Sequence, residues 1–422
     1  MKTPKMNRRD ALKMGFKSAA VTAMSPFIIG ESVAAPVIEK STANTKAIVV
    51  GAGAFGGWTA LHLLRKGFDV TLIEQFGPGN NQSSSGGETR LIRAFYDKQI
   101  YFDMTLRAME LWKGNEAKMG QTVFHQTGLM LFNYKTTTPE LEAARPMYQK
   151  AGMTLQRFKP ADAAARWPQI NTTGLDHVIF DPQAGYLDAR QACIAVLNLF
   201  LKEGGTFIQQ KVRKENIESG KAIGVTLENG TMVTGDHVVF ACGPWLTRLF
   251  PQLTKKLKVT RALELFFSTP PNEADWIENH LPTWMDRDLD GPFRAFGVPG
   301  SDYRGFKIGI TPPTNNDVTN KFDTYDRTIA AEELKMAQSV LAKRFPKMVG
   351  RPLIEYRVCQ YTMTPDSDYI LDRHPDASNL WIMGGDSGHG YKVGPAFGEL
   401  AAQTVAGEKK VLDVFALGRL LK

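Results

Sequence analysis

The chain has 422 residues, of which 43% are hydrophobic and 22% charged, and it contains only 3 cysteines. These proportions are typical of a soluble globular protein and exclude a disordered tail protein, a collagen-like fibre and a disulfide-stabilised scaffold. The length indicates about two or three domains. No apolar run reaches the ~18 residues that a membrane-spanning helix needs, so an integral membrane protein is excluded as well.

The first 35 residues have the order of an export signal. The segment contains six lysines and arginines but only two acidic residues. An apolar stretch covers residues 18–29, and small residues follow at 32–35. This order predicts a signal peptide over this segment, and the pair Arg8-Arg9 resembles the twin-arginine export signal. The alternative is a basic amphipathic N-terminal helix.

The twin-arginine route carries folded proteins, usually because a cofactor has been inserted first. The sequence therefore predicts a periplasmic location, the twin-arginine export machinery as a partner, and a large cofactor. Without residues 1–35 the formal net charge falls from +8 to +4. The rest of the chain has no dense basic stripe interleaved with aromatic residues, which argues against nucleic-acid binding. The cluster of Lys255, Lys256 and Lys258 is interpreted as a solvated face.

The elements that follow predict a dinucleotide-binding unit. A β-branched strand pattern over 46–50 leads into a glycine-rich turn, a helix-period segment over 58–66, and a second strand pattern over 70–73 that ends on Glu74. A strand, a glycine-rich turn and a helix in this order are typical of dinucleotide binding. An incidental glycine-rich turn is the alternative. The pattern alone does not separate NAD from FAD.

Each glycine of that turn has a physical role. Gly51 permits the tight turn, Gly53 lets the backbone approach a pyrophosphate, and Gly56 packs the helix on the strand. The helix N-terminus offers N–H groups to the phosphates. Glu74 lies 18 residues beyond Gly56 and is placed to accept hydrogen bonds from ribose hydroxyls.

Later motifs in the chain narrow the choice between NAD and FAD. A Gly-Glu-Thr-Arg loop lies within 83–93, an Arg-Val-Cys-Gln-Tyr-Thr run covers 357–362, and a Ser-Gly-His-Gly-Tyr-Lys run covers 387–392. In this order, and from about residue 46 to the end, the chain resembles the amine-oxidising flavoproteins of the monomeric sarcosine oxidase family, within the wider D-amino-acid-oxidase-like group. The resemblance implies FAD.

The resemblance also implies a two-domain α/β fold. A Rossmann-like FAD-binding domain is expected over 44–124, 185–260 and 366–422. A second, α+β substrate domain on a large mixed sheet is expected over 125–184 and 261–365. The predicted FAD-binding residues are Gly51, Gly53, Phe55, Gly56, Glu74, Gln75, Ser84, Thr89, Arg90, Val212, Gly243, Trp245, Cys359, Gly388, His389, Gly390 and Lys392.

Cys359 is predicted to attach the flavin covalently, because the family's cysteine at this place is bonded to the 8α-methyl carbon. Arg357, two residues earlier, is a cation that favours a thiolate. A free structural thiol is the alternative. Cys193 and Cys242 lie in or next to apolar patterns and are interpreted as buried small hydrophobes.

Lys307 is the predicted oxygen-activating residue. It lies in a strand pattern, with Gly305 and Gly309 on its own face leaving room for something flat. A family lysine at this place lies over the flavin ring, and a fixed positive charge there would stabilise superoxide. The alternative is a solvent-facing lysine on an edge strand.

Arg93 and Lys392 are predicted to hold the substrate carboxylate, since they match the family's positions for that role. Arginine offers a planar pair of donors and lysine a compact charge. The alternatives are a surface-helix arginine, one helical turn after Thr89-Arg90, and a loop lysine. His389 completes the predicted catalytic set, in a flexible turn before a helix that starts near Pro395.

The chain departs from the family pattern at the pocket wall. Thr311 stands where sarcosine oxidases have a histidine, Ser85 and Gly86 stand where they have paired histidines, and residues 291–301 align poorly. That last segment is expected to line the substrate pocket. These departures point away from sarcosine itself.

The predicted reaction is FAD-dependent oxidation of the C–N bond of a secondary or N-methyl amino acid with a carboxylate. Hydride passes to flavin N5, and O2 reoxidises the flavin to give hydrogen peroxide. The first alternative is a periplasmic dehydrogenase that passes electrons to a quinone or carrier protein. The second is a flavin-loaded binding protein without turnover. No metal is predicted.

Overall fold

The structure is a computed structural model that describes residues 45–421, except 272–273, 288–293, 302–303 and 313–315. The predicted signal peptide lies outside the described residues. No helix within the described ranges is both long and apolar enough to cross a bilayer.

Twenty strands and nine α-helices make up the described part of the chain. The strands are β1 (Lys46–Val50), β2 (Asp69–Glu74), β3 (Thr89–Ile92), β4 (Phe124–His125), β5 (Leu129–Asn133), β6 (Gln156–Phe158), β7 (His177–Asp181), β8 (Gly185–Asp188), β9 (Thr206–Gln209), β10 (Val212–Glu218), β11 (Lys221–Leu227), β12 (Met232–Thr234), β13 (His237–Phe240), β14 (Lys258–Phe267), β15 (Thr283–Asp286), β16 (Ala295–Val298), β17 (Phe306–Ile310), β18 (Leu353–Met363), β19 (Ile370–His374) and β20 (Ala377–Gly384). The helices are α1 (Ala54–Arg65), α2 (Gln99–Met119), α3 (Pro139–Lys150), α4 (Pro160–Arg166), α5 (Ala189–Lys202), α6 (Leu246–Leu249), α7 (Ala331–Arg344), α8 (Gly394–Val405) and α9 (Gly418–Leu421).

A six-stranded sheet in the order β19-β20-β13-β1-β2-β9 forms the first layer. Its strands pair in parallel except β19, which runs antiparallel to β20. Both faces are buried, as in most parallel sheets. Ala47 and Val49 pack in the same core as α1, α5 and α8, whereas Ile48 and Val50 pack in the core that includes the three-stranded sheet β10-β11-β12. The predicted strand–helix–strand unit is confirmed, with the helix beginning earlier, at Ala54.

An eight-stranded sheet in the order β18-β14-β17-β16-β15-β5-β7-β6 forms the second layer. All its neighbours pair antiparallel except β15 and β5, which makes the sheet mixed. One face carries Leu263, Leu265 and Ile308 in an apolar core shared with α7. Because side chains alternate along a strand, Glu264 and Lys307 belong to the opposite face. The predicted domain boundary at 260/261 falls inside β14.

β17 lies between β14 and β16, so Lys307 is on an inner strand. Its side chain is 2% exposed. The interpretation of Lys307 as a solvent-facing lysine on an edge strand is therefore wrong.

Candidate active site

A large cavity lies where loops of the six-stranded sheet meet the eight-stranded sheet. Its volume is about 340 Å³, within the ~300–1,000 Å³ usual for a small-ligand pocket. The six-stranded layer contributes the turns after β1, β2, β13 and β20, and Met285, Phe296 and Tyr361 line it from the eight-stranded sheet. Residues of both sheets thus surround one ligand-sized space.

The glycine-rich turn after β1 brings backbone to the cavity. Gly51 has φ +105, and a β-carbon there would lie 2.5 Å from the Ala241 carbonyl oxygen. Gly53 caps α1 without a side-chain hydrogen bond, and the first turn of α1 has no acid. A β-carbon at Gly56 would lie 1.9 Å from the Gly51 carbonyl oxygen. The turn thus presents the N-terminus of α1, where the Ala54 N–H donates to Ser85 Oγ at 3.1 Å, and a helix N-terminus favours phosphate.

Glu74 lies beside this turn at the end of β2. Its Oε2 accepts a hydrogen bond from the Ala52 N–H at 2.9 Å, and its Oε1 accepts one from the Phe76 N–H at 3.0 Å. Burial raises the pKa of the Glu74 carboxyl, and these two N–H bonds oppose the rise. The predicted contacts Gln75, Val212, Gly243 and Trp245 also line this part of the cavity.

Elsewhere in the cavity wall, Arg93 and Lys392 approach the same ring. The Arg93 guanidinium lies 5.1 Å and the Lys392 Nζ 5.0 Å from the centroid of the Tyr96 ring. Lys392 donates to the His389 carbonyl at 2.6 Å, and Arg93 donates to the Phe95 carbonyl. Burial, and then the neighbouring Arg93, lower the pKa of Lys392 well below its ordinary value. Among the described residues, no carboxylate forms an ion pair with either cation.

His389 is held as a neutral ring. Its Nδ1 lies 2.7 Å from the Tyr369 hydroxyl and 3.0 Å from the Tyr96 hydroxyl, and its Nε2 lies 2.9 Å from the Ser367 carbonyl. A carbonyl only accepts, so Nε2 carries the proton and Nδ1 accepts from a tyrosine. Burial and the nearby Lys392 lower the pKa of His389 to about 3. His389 therefore orients its neighbours and does not titrate near neutral pH.

Arg93 differs from its expected setting. Thr89–Ile92 is the strand β3, paired antiparallel with β8, so Arg93 follows a strand and not a helical turn. The interpretation as a surface-helix arginine is wrong. Arg93 reaches the cavity because β3 ends beside it.

A cluster of charges lies behind the cavity wall on the inner face of the eight-stranded sheet. Arg90, which lines the cavity, has its Nη1 2.7 Å from Glu264 Oε1. Lys307 Nζ lies 3.2 Å from Glu264 Oε2 and donates to the Thr89 carbonyl at 2.8 Å. Arg357 Nη1 lies 3.4 Å from Glu264 Oε1. One buried carboxylate thus contacts three cations.

Cys359 belongs to the same region but is covered. Its side chain is fully buried, with Sγ 3.4 Å from Arg90 Nη2 and 3.7 Å from the Ser84 carbonyl. Arg90, not Arg357, is the cation that contacts the sulfur. All three cysteines are free. Cys193 is buried as predicted, whereas Cys242 is only partly buried and lines the cavity.

Most predicted site residues line one cavity, and four do not. Gly56 lies behind Gly51, Thr89 and Cys359 lie behind Arg90, and Lys307 lies behind Thr89. The lining residues among the predicted set are Gly51, Gly53, Phe55, Glu74, Gln75, Ser84, Arg90, Arg93, Val212, Gly243, Trp245, Gly388, His389, Gly390 and Lys392.

Comparison with known proteins decides the family. The sequence profile of the FAD dependent oxidoreductase family matches residues 46–404, a span that includes the glycine-rich turn, the charge cluster and the Arg93–Lys392 pair. The chain belongs to the FAD-dependent oxidoreductase family. The chain is therefore an oxidoreductase, and its residues near the α1 N-terminus are suited to FAD.

Relatives of this FAD-dependent oxidoreductase cover nearly the whole described chain. It is 29% identical over 359 residues to the peroxisomal sarcosine oxidase of Mus musculus, covering 84% of this chain and 90% of that protein. It is 27% identical over 383 residues to a monomeric sarcosine oxidase of a Bacillus species, covering 88% and 96%. Amadoriase I of Aspergillus fumigatus has the same fold, with a TM-score of 0.73, 20% identity and coverage of 88% and 89%.

The residues present fit FAD. The N-terminus of α1, without an acid in its first turn, suits a pyrophosphate, and Glu74 at the end of β2 suits ribose hydroxyls. The loop that holds Gly388 and Gly390 leads into α8, which begins at Gly394 with Pro395 in its first turn. This confirms the predicted turn and helix start.

Sequence reasoning missed Met285 in the cavity wall, Glu264 in the charge cluster and Tyr96, the ring that Arg93 and Lys392 approach. Phe296, which lines the cavity, lies within the predicted pocket segment 291–301. Sequence reasoning also misjudged the glycines near Lys307. A β-carbon at Gly309 would lie 2.1 Å from the Phe296 ring, so that ring occupies the space beside this glycine. Gly305 precedes β17 and has φ +92, so it does not share the strand face.

Proposed function

We propose that this enzyme oxidises the C–N bond of a secondary or N-methyl amino acid. The observation that carries the proposal is the Arg93–Lys392 pair, two cations in the cavity wall with no carboxylate partner among the described residues. Lys392 is buried and Arg93 half-buried, and an anionic ligand stabilises two cations that are withdrawn from water in this way. The two named relatives are sarcosine oxidases, and sarcosine is an N-methyl amino acid with a carboxylate.

The residues bind and prepare the substrate. Bound FAD would supply the acceptor for the hydride that leaves the carbon next to nitrogen. Arg93 and Lys392 hold the carboxylate and fix the orientation of the amine. Their positive charge also lowers the pKa of the bound amine, which favours the neutral form that can release hydride. The His389 carbonyl fixes the Lys392 ammonium by the 2.6 Å bond.

The proposed electron acceptor is O2, reduced to hydrogen peroxide, with Lys307 as the cation near the flavin. One observation favours a dehydrogenase instead. Lys307 Nζ is already bonded to the Thr89 carbonyl and hydroxyl and paired with Glu264, which reduces the charge available to superoxide. The second candidate is therefore transfer of electrons to a quinone or carrier protein.

An anaerobic reduction experiment tests substrate class and acceptor together. Purified oxidised protein is mixed without oxygen with sarcosine, other N-methyl amino acids, pipecolate, fructosyl amino acids and D-amino acids while flavin absorbance is followed; air is then admitted. Bleaching by a secondary or N-methyl amino acid and rapid recovery with peroxide would support the oxidase. Bleaching with slow recovery would support the dehydrogenase. Absence of bleaching across the panel would contradict the proposal and favour a binding protein without turnover.

We also propose that Cys359 attaches the flavin covalently. The thiol lies 3.4 Å from Arg90, which lines the cavity. Acid precipitation of the purified protein is expected to leave the yellow colour in the pellet, and Cys359→Ser is expected to release it to the supernatant. Cys193→Ser serves as the control and is expected to keep the colour in the pellet. Release of all colour from the wild-type protein would remove the covalent bond from the proposal.

We propose further that residues 1–35 direct export of the folded enzyme to the periplasm by the twin-arginine machinery. The pair Arg8-Arg9 and the apolar stretch after it support this. Replacing both arginines with lysine is expected to keep the enzyme in the cytoplasmic fraction, with its flavin still bound. Unchanged periplasmic recovery of the double variant would contradict the export proposal.

A further inference from the structure

Glu264 lies on the inner face of the eight-stranded sheet, within a short distance of three cations from three strands. Arg90 of β3 lies 2.7 Å, Lys307 of β17 3.2 Å and Arg357 of β18 3.4 Å from its carboxylate oxygens. Cys359 and Tyr361 of β18, together with Asp386 and Tyr391, are the other titratable groups of this region. Glu264 is the acid that faces these cations.

The cluster is buried. The side chains of Glu264 and Lys307 are 5% and 2% exposed, and that of Arg90 is 12% exposed. Three cations and one carboxylate leave a net charge of +2. A buried charge is costly unless it is paired, so removal of the carboxylate would leave three mutually repelling cations in a dry site.

The cluster also orders the loop that borders the cavity. Arg357 donates to the Ser83 carbonyl at 2.8 Å, and Arg90 donates to the Ser84 carbonyl at 2.8 Å. Both Ser83 and Ser84 line the cavity. Glu264 therefore connects the position of these two arginines to the wall of the FAD site.

We propose that Glu264 is a positioning residue that keeps Lys307 protonated and holds Arg90 and Arg357 against the cavity loop. The inference rests on the proposed function to the extent that Lys307 acts beside the flavin. Lysine has three N–H donors, and Thr89 with Glu264 accounts for three contacts of Lys307 Nζ. Lys307 would thus act on the flavin through its charge, and that charge depends on Glu264.

The electrostatics agree with this geometry. The pKa of Lys307 is lowered to about 8, because burial, Arg90 and Arg357 together lower it more than Glu264 raises it. For Glu264 itself, burial acts to raise the pKa, but the three cations outweigh it and hold the pKa at about 2. If the carboxylate is removed, a cation must lose its proton, and an arginine cannot. Lys307 is the group that would become neutral.

The test follows the flavin absorption spectrum of the FAD-bound protein between pH 5.5 and 9.5, without substrate. A lysine that titrates beside the ring is expected to give an inflection near its pKa, which is about 8 in the wild type. Lys307→Met is expected to abolish this inflection. Glu264→Gln is expected to move it at least about one pH unit lower, since an ion pair at this distance is worth several kcal/mol even at an effective dielectric constant of ~20.

Two further variants make the result specific. Glu355→Gln removes an exposed carboxylate of the same strand as Arg357 and is expected to leave the inflection in place. The double variant Glu264→Gln/Arg357→Met restores a net charge of +2 and is expected to return the inflection toward the wild-type pH. It also keeps the test valid if Glu264→Gln alone does not fold.

An inflection in Glu264→Gln at the wild-type pH, or a wild-type inflection that survives Lys307→Met, would overturn the inference. So would a wild-type spectrum without any inflection. These outcomes are separate from failure of the proposed function, because the titration needs bound FAD but no amino acid. A protein that shows the expected inflections yet is not reduced by any amine would lose the proposed substrate and keep the role of Glu264.

Discussion

Gly56→Ala is expected to reduce the FAD content of the purified protein to less than about a tenth of the wild-type value, because overpacking of a close contact displaces backbone. The added β-carbon would lie 1.9 Å from the Gly51 carbonyl oxygen and 3.1 Å from the Ala241 side chain. α1 would have to move away from β1, and its N-terminus would move with it. FAD content is measured from the ratio of flavin to protein absorbance.

Gly114→Ala is the matched control for this substitution. Gly114 lies inside α2, and a β-carbon there would meet no atom within 4 Å. Alanine is favoured over glycine in a helix by about 0.5–1 kcal/mol. The control is expected to bind FAD fully and to unfold at a slightly higher temperature. A Gly56→Ala protein with normal flavin content would show that α1 does not hold the pyrophosphate.

Lys392→Met is expected to lower kcat/KM for the amino acid substrate by about 10- to 100-fold, the loss expected for one charge-assisted hydrogen bond of ~1.5–3 kcal/mol. Most of the loss is expected in KM, because the carboxylate is held in both the ground state and the transition state. The side chain is buried, with its Nζ 5.0 Å from the Tyr96 ring centroid. Initial rates at a range of substrate concentrations give both constants.

Lys98→Met is the control, because Lys98 is a lysine of the same region that already has a partner. Its Nζ lies 2.8 Å from Asp368, and its side chain is 45% exposed. An exposed ion pair of this kind contributes little free energy, and Lys98 is already paired with Asp368. The KM of Lys98→Met is therefore expected to stay within about twofold of the wild-type value. An unchanged KM in Lys392→Met, or an equal rise in both variants, would exclude Lys392 as a carboxylate ligand.

Local sequence patterns were sufficient for the dinucleotide-binding unit. The β-branched strand, the glycines at 51, 53 and 56, and the acid at the end of β2 are close together in the chain, and their geometry follows from neighbouring residues. The same holds for Gly388 and Pro395, which mark a turn and a helix start. The resemblance to a known family then added further predicted cofactor and substrate residues, and most of the complete set lines one cavity.

Prediction of the charge cluster and of the pocket wall requires the register of the paired strands, which local sequence patterns do not give. Glu264 interrupts an apolar run, and nothing local indicates that it lies between Arg357 of one neighbouring strand and Lys307 of another. Phe296 reaches Gly309 only because β16 pairs with β17. The alternative of a surface-helix Arg93 rests on a spacing from Thr89-Arg90 that suits a helical turn, whereas pairing with β8 makes Thr89–Ile92 a strand.

A crystal structure of the FAD-bound protein with methoxyacetate tests the central claim most directly. In this ligand an ether oxygen replaces the amine of N-methylglycine. The ligand can therefore bind through its carboxylate but has no C–N bond to be oxidised. The pyrophosphate is expected at the N-terminus of α1, and the carboxylate within about 3 Å of the side-chain nitrogens of Arg93 and Lys392. A carboxylate bound away from this pair, or a flavin outside the cavity, would contradict the proposed site.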